Sequence, residues 1–301
     1  MRKFPYLIFV IVLAATACSK HAAADGNDTV YAVSIEPQRW LLEQLVDSGA
    51  EIVTMLTPGS NPETYEPSLS RRALADNAVM YFATGALPFE AALEASSSVP
   101  FVNTSEGIIP IYGTHDHAHS HHEHGEGHTH GEGHGDSHSH EGVPDPHFWT
   151  SLSGAAAMAR NMAASLTRLN PEDAPIYAER LETLLTRLDS INVGIAAELV
   201  DAPSKTFAVW HPSLSYFARD YGLEQLAVGQ ESKEMSARQA REIIDRAKAD
   251  SVRVFFFQKE FDARQAEAIN KEIGSRLVTI DPLDYHLDRQ LQTVADAIAH
   301  P

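Results

Sequence analysis

The sequence predicts an α/β protein with two lobes, each containing a parallel sheet flanked by helices, joined by one long rigid helix. Strand-like apolar runs alternate with helical patterns in residues 28–103 and again in residues 206–299. A single helical pattern of about seven turns separates the two blocks. The predicted divisions are a signal peptide (1–17), a tether (18–27), an N-terminal lobe (28–170), a linking helix (171–201) and a C-terminal lobe (202–301).

The N-terminus has the pattern of an export signal. Arg2 and Lys3 precede an apolar run that is shorter than the roughly 20 residues of a membrane-spanning helix. Cys18, the only cysteine, follows small residues in a pattern that resembles a bacterial lipobox, so we predict that it is lipidated. Ordinary cleavage that leaves an incidental thiol is the alternative. We therefore expect an exported protein of the cell envelope or periplasm, held to the membrane by its lipid alone, with residues 19–27 as a polar tether.

The N-terminal lobe is predicted from short strands that alternate with helices. The strands fall at 28–35, 51–56, 79–83 and 101–103, and the helices at 40–46, 69–76 and 89–94. A loop rich in proline and glycine, residues 57–62, follows the second strand.

A His-rich segment, residues 114–142, then interrupts this alternation. It contains only His, Gly, Asp, Glu, Ser, Thr and one Ala, so it cannot build a core and we expect a mobile loop. Imidazoles suit zinc, copper and nickel better than manganese, and acidic residues without Lys or Arg lie among them. We expect several weak zinc sites here that fail near the ordinary histidine pKa of about 6.5; a surface insertion without function is the alternative. The histidines are His115, His117, His119, His121, His122, His124, His128, His130, His134, His138 and His140.

The long helix opens at Pro171 and Glu172, and apolar residues recur along it every three or four positions until Ala202 and Pro203 end it. The C-terminal lobe again alternates strands with helices. Strands are predicted at 206–210, 226–228, 252–257 and 277–280, and helices at 213–221, 237–249, 263–273 and 288–299.

Charge and motifs exclude several function classes. The chain has 23 Lys and Arg against 41 Asp and Glu, a formal charge of −18, which argues against a nucleic-acid partner and favours cations. It contains no Gly-x-x-x-x-Gly-Lys loop, so any ATP hydrolysis would belong to a partner. It also contains no His-Glu-x-x-His motif, so a zinc hydrolase is disfavoured and we predict no enzymatic activity.

Four metal-capable residues follow predicted strands or lie near their ends. They are Glu63, His147, His211 and Asp281, two from each half of the chain. Ligands of open α/β sheets bind beyond the carboxyl ends of the strands, so a cleft between the lobes would bring all four together. Taken singly, each carboxylate could belong to a turn, and each imidazole could be a hydrogen-bonded buried side chain.

The chain resembles the metal-binding subunits of bacterial zinc and manganese ABC importers over essentially its whole mature length. The segments that carry the resemblance are 58–68, 145–149, His211 with 215–218 and 221–223, and 281–283. The resemblance implies one divalent ion held between the lobes by Glu63, His147, His211 and Asp281, and its delivery to an ABC permease by a monomer. The family usually places a histidine where this chain has Glu63, and two imidazoles with two carboxylates resemble the manganese members. The His-rich loop favours zinc, while manganese or iron, or a zinc-storage or chaperone lipoprotein acting through the loop, are the alternatives.

Overall fold

The computed structural model describes residues 29–112, 144–229 and 235–301. The predicted signal peptide, Cys18, the tether and the whole of the His-rich loop lie outside the described residues. Two four-stranded sheets, both parallel throughout, have the strand orders β2-β1-β3-β4 and β6-β5-β7-β8. The predicted fold class is therefore confirmed.

The N-terminal lobe has the elements β1 (Val30–Val33), α1 (Glu36–Glu43), β2 (Glu51–Thr54), α2 (Leu69–Ala75), β3 (Met80–Ala83), α3 (Pro88–Ser96) and β4 (Phe101–Asn103). All four residues of β3 are buried, as are three of the four in β1. Such continuous burial is typical of parallel strands that are covered by helices on both faces.

Two consecutive helices, α4 (Leu152–Leu169) and α5 (Ala174–Leu199), lie between the sheets, with a 3-10 turn at Pro171–Asp173 joining them. The long helix agrees with its prediction, whereas α4 was not predicted. Its buried face consists largely of alanine and methionine, at spacings of three and four residues. The hydroxyl of Ser151 caps α4 by accepting a hydrogen bond from the amide of Gly154 at 2.9 Å.

The C-terminal lobe has the elements β5 (Thr206–Val209), α6 (Ser215–Asp220), β6 (Glu224–Ala227), α7 (Ala237–Ala249), β7 (Val254–Gln258), α8 (Ala263–Ile273), β8 (Arg276–Ile280) and α9 (Leu287–Ala299). Every strand and helix predicted for this lobe is present, with bounds that differ by a few residues at most.

One apolar cluster runs through both lobes. It includes Phe82 of the first sheet, Leu188 of α5, Val209 of the second sheet and Val294 of α9. A second, smaller cluster fills the other face of the second sheet, beneath α7 and α8. Because the core continues through α5 and α9, side-chain packing sets how the lobes sit against each other. Among the described residues, every helix is too short or too polar to cross a bilayer.

Candidate metal centre

Glu63, His147 and His211 meet in the cleft between the lobes. One ligand atom from each lies within 4.8 Å of the other two. The Nε2 atoms of His147 and His211 are 3.4 Å apart, and Glu63 Oε1 lies 3.4 Å from His211 Nε2 and 3.9 Å from His147 Nε2. These three residues come from widely separated parts of the sequence: Glu63 lies in the loop after β2, His147 directly before a 3-10 turn, and His211 in the loop after β5.

The spacing of these atoms matches the edges of a small coordination tetrahedron. Bonds of about 2.0–2.1 Å around a tetrahedral zinc ion place neighbouring ligand atoms about 3.3–3.4 Å apart. Two of the three separations already have this length, at 3.4 Å each. The third, from Glu63 to His147, is 3.9 Å and would need to shorten by a few tenths of an ångström. The three side chains therefore fit one first-row divalent ion with little rearrangement.

Asp145 orients the imidazole of His147. Its Oδ1 accepts a hydrogen bond from the His147 amide at 2.9 Å and lies 2.8 Å from the ring Nδ1. Burial opposes the charged form of Asp145, but its hydrogen bonds to His147 outweigh this effect, and the pKa of Asp145 lies below its ordinary value. Because an ionised carboxylate only accepts, Nδ1 carries the proton and Nε2 keeps its lone pair for a metal.

The backbone of His211 is held by the neighbouring strand. Gln258, the last residue of β7, accepts a hydrogen bond from the His211 amide at 3.1 Å and donates one to the His211 carbonyl at 2.6 Å. The side chain amide of Gln258 also donates to the hydroxyl of Ser213 at 2.8 Å. The ring of Phe261 stacks on the imidazole at 5.5 Å between centroids. These contacts fix the direction in which the ring leaves the sheet.

Glu63 lies on a loop that is stiffened by its own side chains. Asn61 Oδ1 accepts a hydrogen bond from the Glu63 amide at 2.9 Å, and the hydroxyls of Thr57 and Ser60 lie 2.7 Å apart. The Tyr65 hydroxyl donates to the carbonyl of Met55 at 2.9 Å. The Glu63 side chain is 18% exposed, whereas those of His147 and His211 are 4% and 6% exposed. Glu63 is therefore the most accessible of the three ligands.

Asp281 directly follows β8 and is engaged differently. Its carboxylate forms an ion pair with the ammonium of Lys259, and its Oδ1 accepts a hydrogen bond from the Leu283 amide at 3.1 Å. Asp281 and Lys259 line an open cavity of about 360 Å³. Among the described residues, Asp281 is not within the group formed by the other three predicted ligands. Its role as a fourth ligand stays a prediction.

Two hydrogen bonds tie the loop after Asp281 to the opposite lobe. The indole of Trp149 donates to the carbonyl of Pro282 at 2.8 Å, and the hydroxyl of Tyr285 donates to the carboxylate of Glu43. Burial, together with Glu43, raises the pKa of Tyr285 to about 12. The loop therefore has a fixed place in the cleft, whichever direction the Asp281 side chain takes.

Three residues that bond to predicted ligands were not found from the sequence, namely Asp145, Gln258 and Lys259. Asp145 carries a usable signal, since a carboxylate two residues before a metal-binding histidine can reach its ring. Gln258 and Lys259 carry none, because their partners are distant in sequence.

A second group of metal-capable residues lies on the surface. Glu198 near the end of α5 approaches Asp296 and His300 at the end of α9, with His300 Nδ1 3.6 Å and 3.4 Å from the two carboxylates. Asp296 and His300 are exposed, so solvent competes for every ligand position. The cleft is the better candidate because two of its three ligands are buried.

The chain is similar to known zinc-uptake and zinc-binding proteins. The family model described as ZnuA, the periplasmic zinc-uptake complex component A, matches residues 32–298. The high-affinity zinc uptake system protein ZnuA of Bacillus subtilis is 25% identical over 92% of this chain and 86% of its own length. The zinc-binding lipoprotein AdcA of Streptococcus pneumoniae strain R6 is 24% identical over 94% of this chain. A crystal structure of a ZnuA deletion mutant with zinc bound has a TM-score of 0.77 and 28% identity, covering 91% of this chain and 97% of that one. The streptococcal relatives are longer proteins, of which the matches span 30% to 56%.

Proposed function

The chain belongs to the ZnuA family of zinc-uptake components, and we propose that it captures zinc outside the cytoplasm and delivers it to an ABC permease. The observation that carries this proposal is the convergence of Glu63, His147 and His211 at the edge lengths of a zinc tetrahedron. This is a family of substrate-binding transport components, not of enzymes.

Zinc is held by one carboxylate and two imidazoles. Neutral imidazole is a good ligand for zinc, and for any given ligand set the affinity series places zinc above manganese. Asp281 pairs with Lys259, so we propose that water completes the coordination and is displaced when the ion leaves. A water ligand and the partly exposed Glu63 give the ion an exit toward solvent, which suits a carrier that must release its cargo.

We propose that two segments outside the cleft assist delivery, the N-terminal tether and the His-rich loop. We propose that Cys18 carries a lipid that keeps the protein, as a monomer, near its permease, and that residues 19–27 form the tether. The His-rich loop supplies weak sites that collect zinc near the cleft. The C-terminal end of the loop supports this arrangement, because it leads into Pro144 and then Asp145, the residue that orients His147. The formal charge of −18 favours the approach of cations.

A competitive metal titration of residues 19–301 tests this assignment. We expect one tight zinc site that His147→Ala or His211→Ala each weakens by at least about 100-fold, since each removes a ligand. His286→Ala is the matched control, because this exposed histidine lines the cavity beside Asp281 but lies outside the ligand group. Tight zinc binding that survives both ligand variants would refute the assignment, as would an equal loss in the control.

A further inference from the structure

Lys259 and Asp281 are brought together by the register of the second sheet. Strands β7 and β8 are parallel neighbours, and Gln258 pairs with Ile280. Lys259 directly follows β7, and Asp281 directly follows β8. The Lys259 amide donates a hydrogen bond to the Ile280 carbonyl at 3.3 Å. Their ion pair is therefore built into the end of the sheet and does not depend on a flexible loop.

The backbone at Asp281 has little freedom to approach the ligand group. The neighbouring Pro282 carbonyl accepts a hydrogen bond from Trp149, and Tyr285 is bonded to Glu43 of the opposite lobe. Asp281 could reach an ion held by Glu63, His147 and His211 only by rotating its side chain. That rotation would leave the ammonium of Lys259 without its carboxylate.

We propose that Lys259 is a specificity-determining residue: it retains Asp281 and so withholds a second carboxylate from the bound ion. This inference rests on the proposed function, since it concerns the same cleft. The ion then meets two imidazoles and a single carboxylate. Manganese favours oxygen ligands, whereas zinc is well served by imidazole. Holding Asp281 back therefore penalises manganese more than zinc.

The charge of the neighbourhood makes the lysine necessary. Glu260 lies beside the pair, where its carboxyl group interacts with both Asp281 and Lys259. Without an ammonium, the carboxylate of Asp281 would lie near that of Glu260 and lack its ion-pair partner. A divalent ion would then recruit it. The Lys259 side chain is 53% exposed, so its replacement should not disturb the core.

The test compares zinc and manganese affinities of the full chain and three variants. In Lys259→Met we expect manganese to bind more tightly by about tenfold and zinc to change by less than about threefold, by analogy with other outer contacts of metal ligands. Lys259→Arg keeps the positive charge and should keep the wild-type ratio. Both ions carry the same charge, so a long-range electrostatic effect would shift both affinities equally and leave the ratio unchanged.

The double variant Lys259→Met with Asp281→Asn shows whether the gain passes through Asp281. We expect it to lose the manganese gain, because the carboxylate released by the first substitution is then absent. An unchanged ratio in Lys259→Met, or a gain that survives in the double variant, would overturn the inference. These outcomes are separable from failure of the proposed function, which would appear as tight zinc binding by the chain that does not depend on His147 and His211.

Discussion

Asp145 should control zinc affinity without touching the ion. Its carboxylate accepts one hydrogen bond from the backbone of His147 and lies 2.8 Å from the ring Nδ1. Replacing it with asparagine keeps the shape but removes the negative charge and lets the amide group face the ring. His147 then loses the partner that fixes its tautomer and makes Nε2 a better donor to the metal.

The expected loss in zinc affinity for Asp145→Asn is about 10- to 100-fold, the range for outer partners of metal-binding histidines. In free energy this is about 1.4 to 2.8 kcal/mol of binding. The loss of zinc affinity lies at the upper end of this range if the His147 ring changes tautomer, because Nε2 would then carry the proton and could not coordinate zinc. It lies at the lower end if the asparagine oxygen still accepts from Nδ1 and only the charge is lost.

Competitive zinc titration against a chelator of known affinity measures this loss, with thermal unfolding of the metal-free protein as a check on folding. Asp288→Asn is the matched control, because Asp288, on α9, is also a buried carboxylate but pairs with Arg187 of α5. It should lower stability and leave zinc affinity unchanged. Wild-type zinc affinity in Asp145→Asn, or an equal loss of affinity in the control, would refute the reasoning.

Three other perturbations test the site and its surroundings. Glu63→His should keep tight zinc binding and weaken manganese binding by about tenfold, since a carboxylate is exchanged for an imidazole. Glu66→His, on the exposed part of the same loop, is the control. An unchanged ratio of zinc to manganese affinity in Glu63→His would remove Glu63 from the ligand set. Deleting residues 114–142 should leave one tight zinc ion and remove only weaker ones in equilibrium dialysis, and loss of the tight ion would instead favour storage by the loop. Tyr285→Phe should lower the free energy of unfolding by about 1 kcal/mol at about pH 8 in urea denaturation. Because the folded pKa of Tyr285 is raised from 10.0 to about 12, its contribution is complete below pH 10 and is lost as the pH rises toward 12, so the two proteins should converge there; a constant difference would contradict this linkage.

Local sequence patterns were sufficient for most of the secondary structure. Strands such as β3 and β7 are continuous apolar runs, and α5 shows a regular stripe of Leu and Ile, so short-range periodicity identifies them. Helix α4 was missed because its buried face is mainly alanine and methionine, which gives a weaker contrast with Ser, Gly and Asn around it. Its role becomes visible only where it packs against α5 and against the 3-10 turn after His147.

Patterns in the sequence were enough to predict the two-lobed α/β fold and to name Glu63, His147 and His211 as candidate ligands. The carboxyl ends of parallel strands lie at one edge of each sheet, which is where ligands of such folds bind. The tertiary structure alone decided the partner of Asp281. Lys259 and Asp281 are separated by a helix and a strand, and only the register of β7 against β8 makes them neighbours. Whether a carboxylate faces a metal or an ammonium depends on which charges folding places around it, and a linear sequence does not contain those distances.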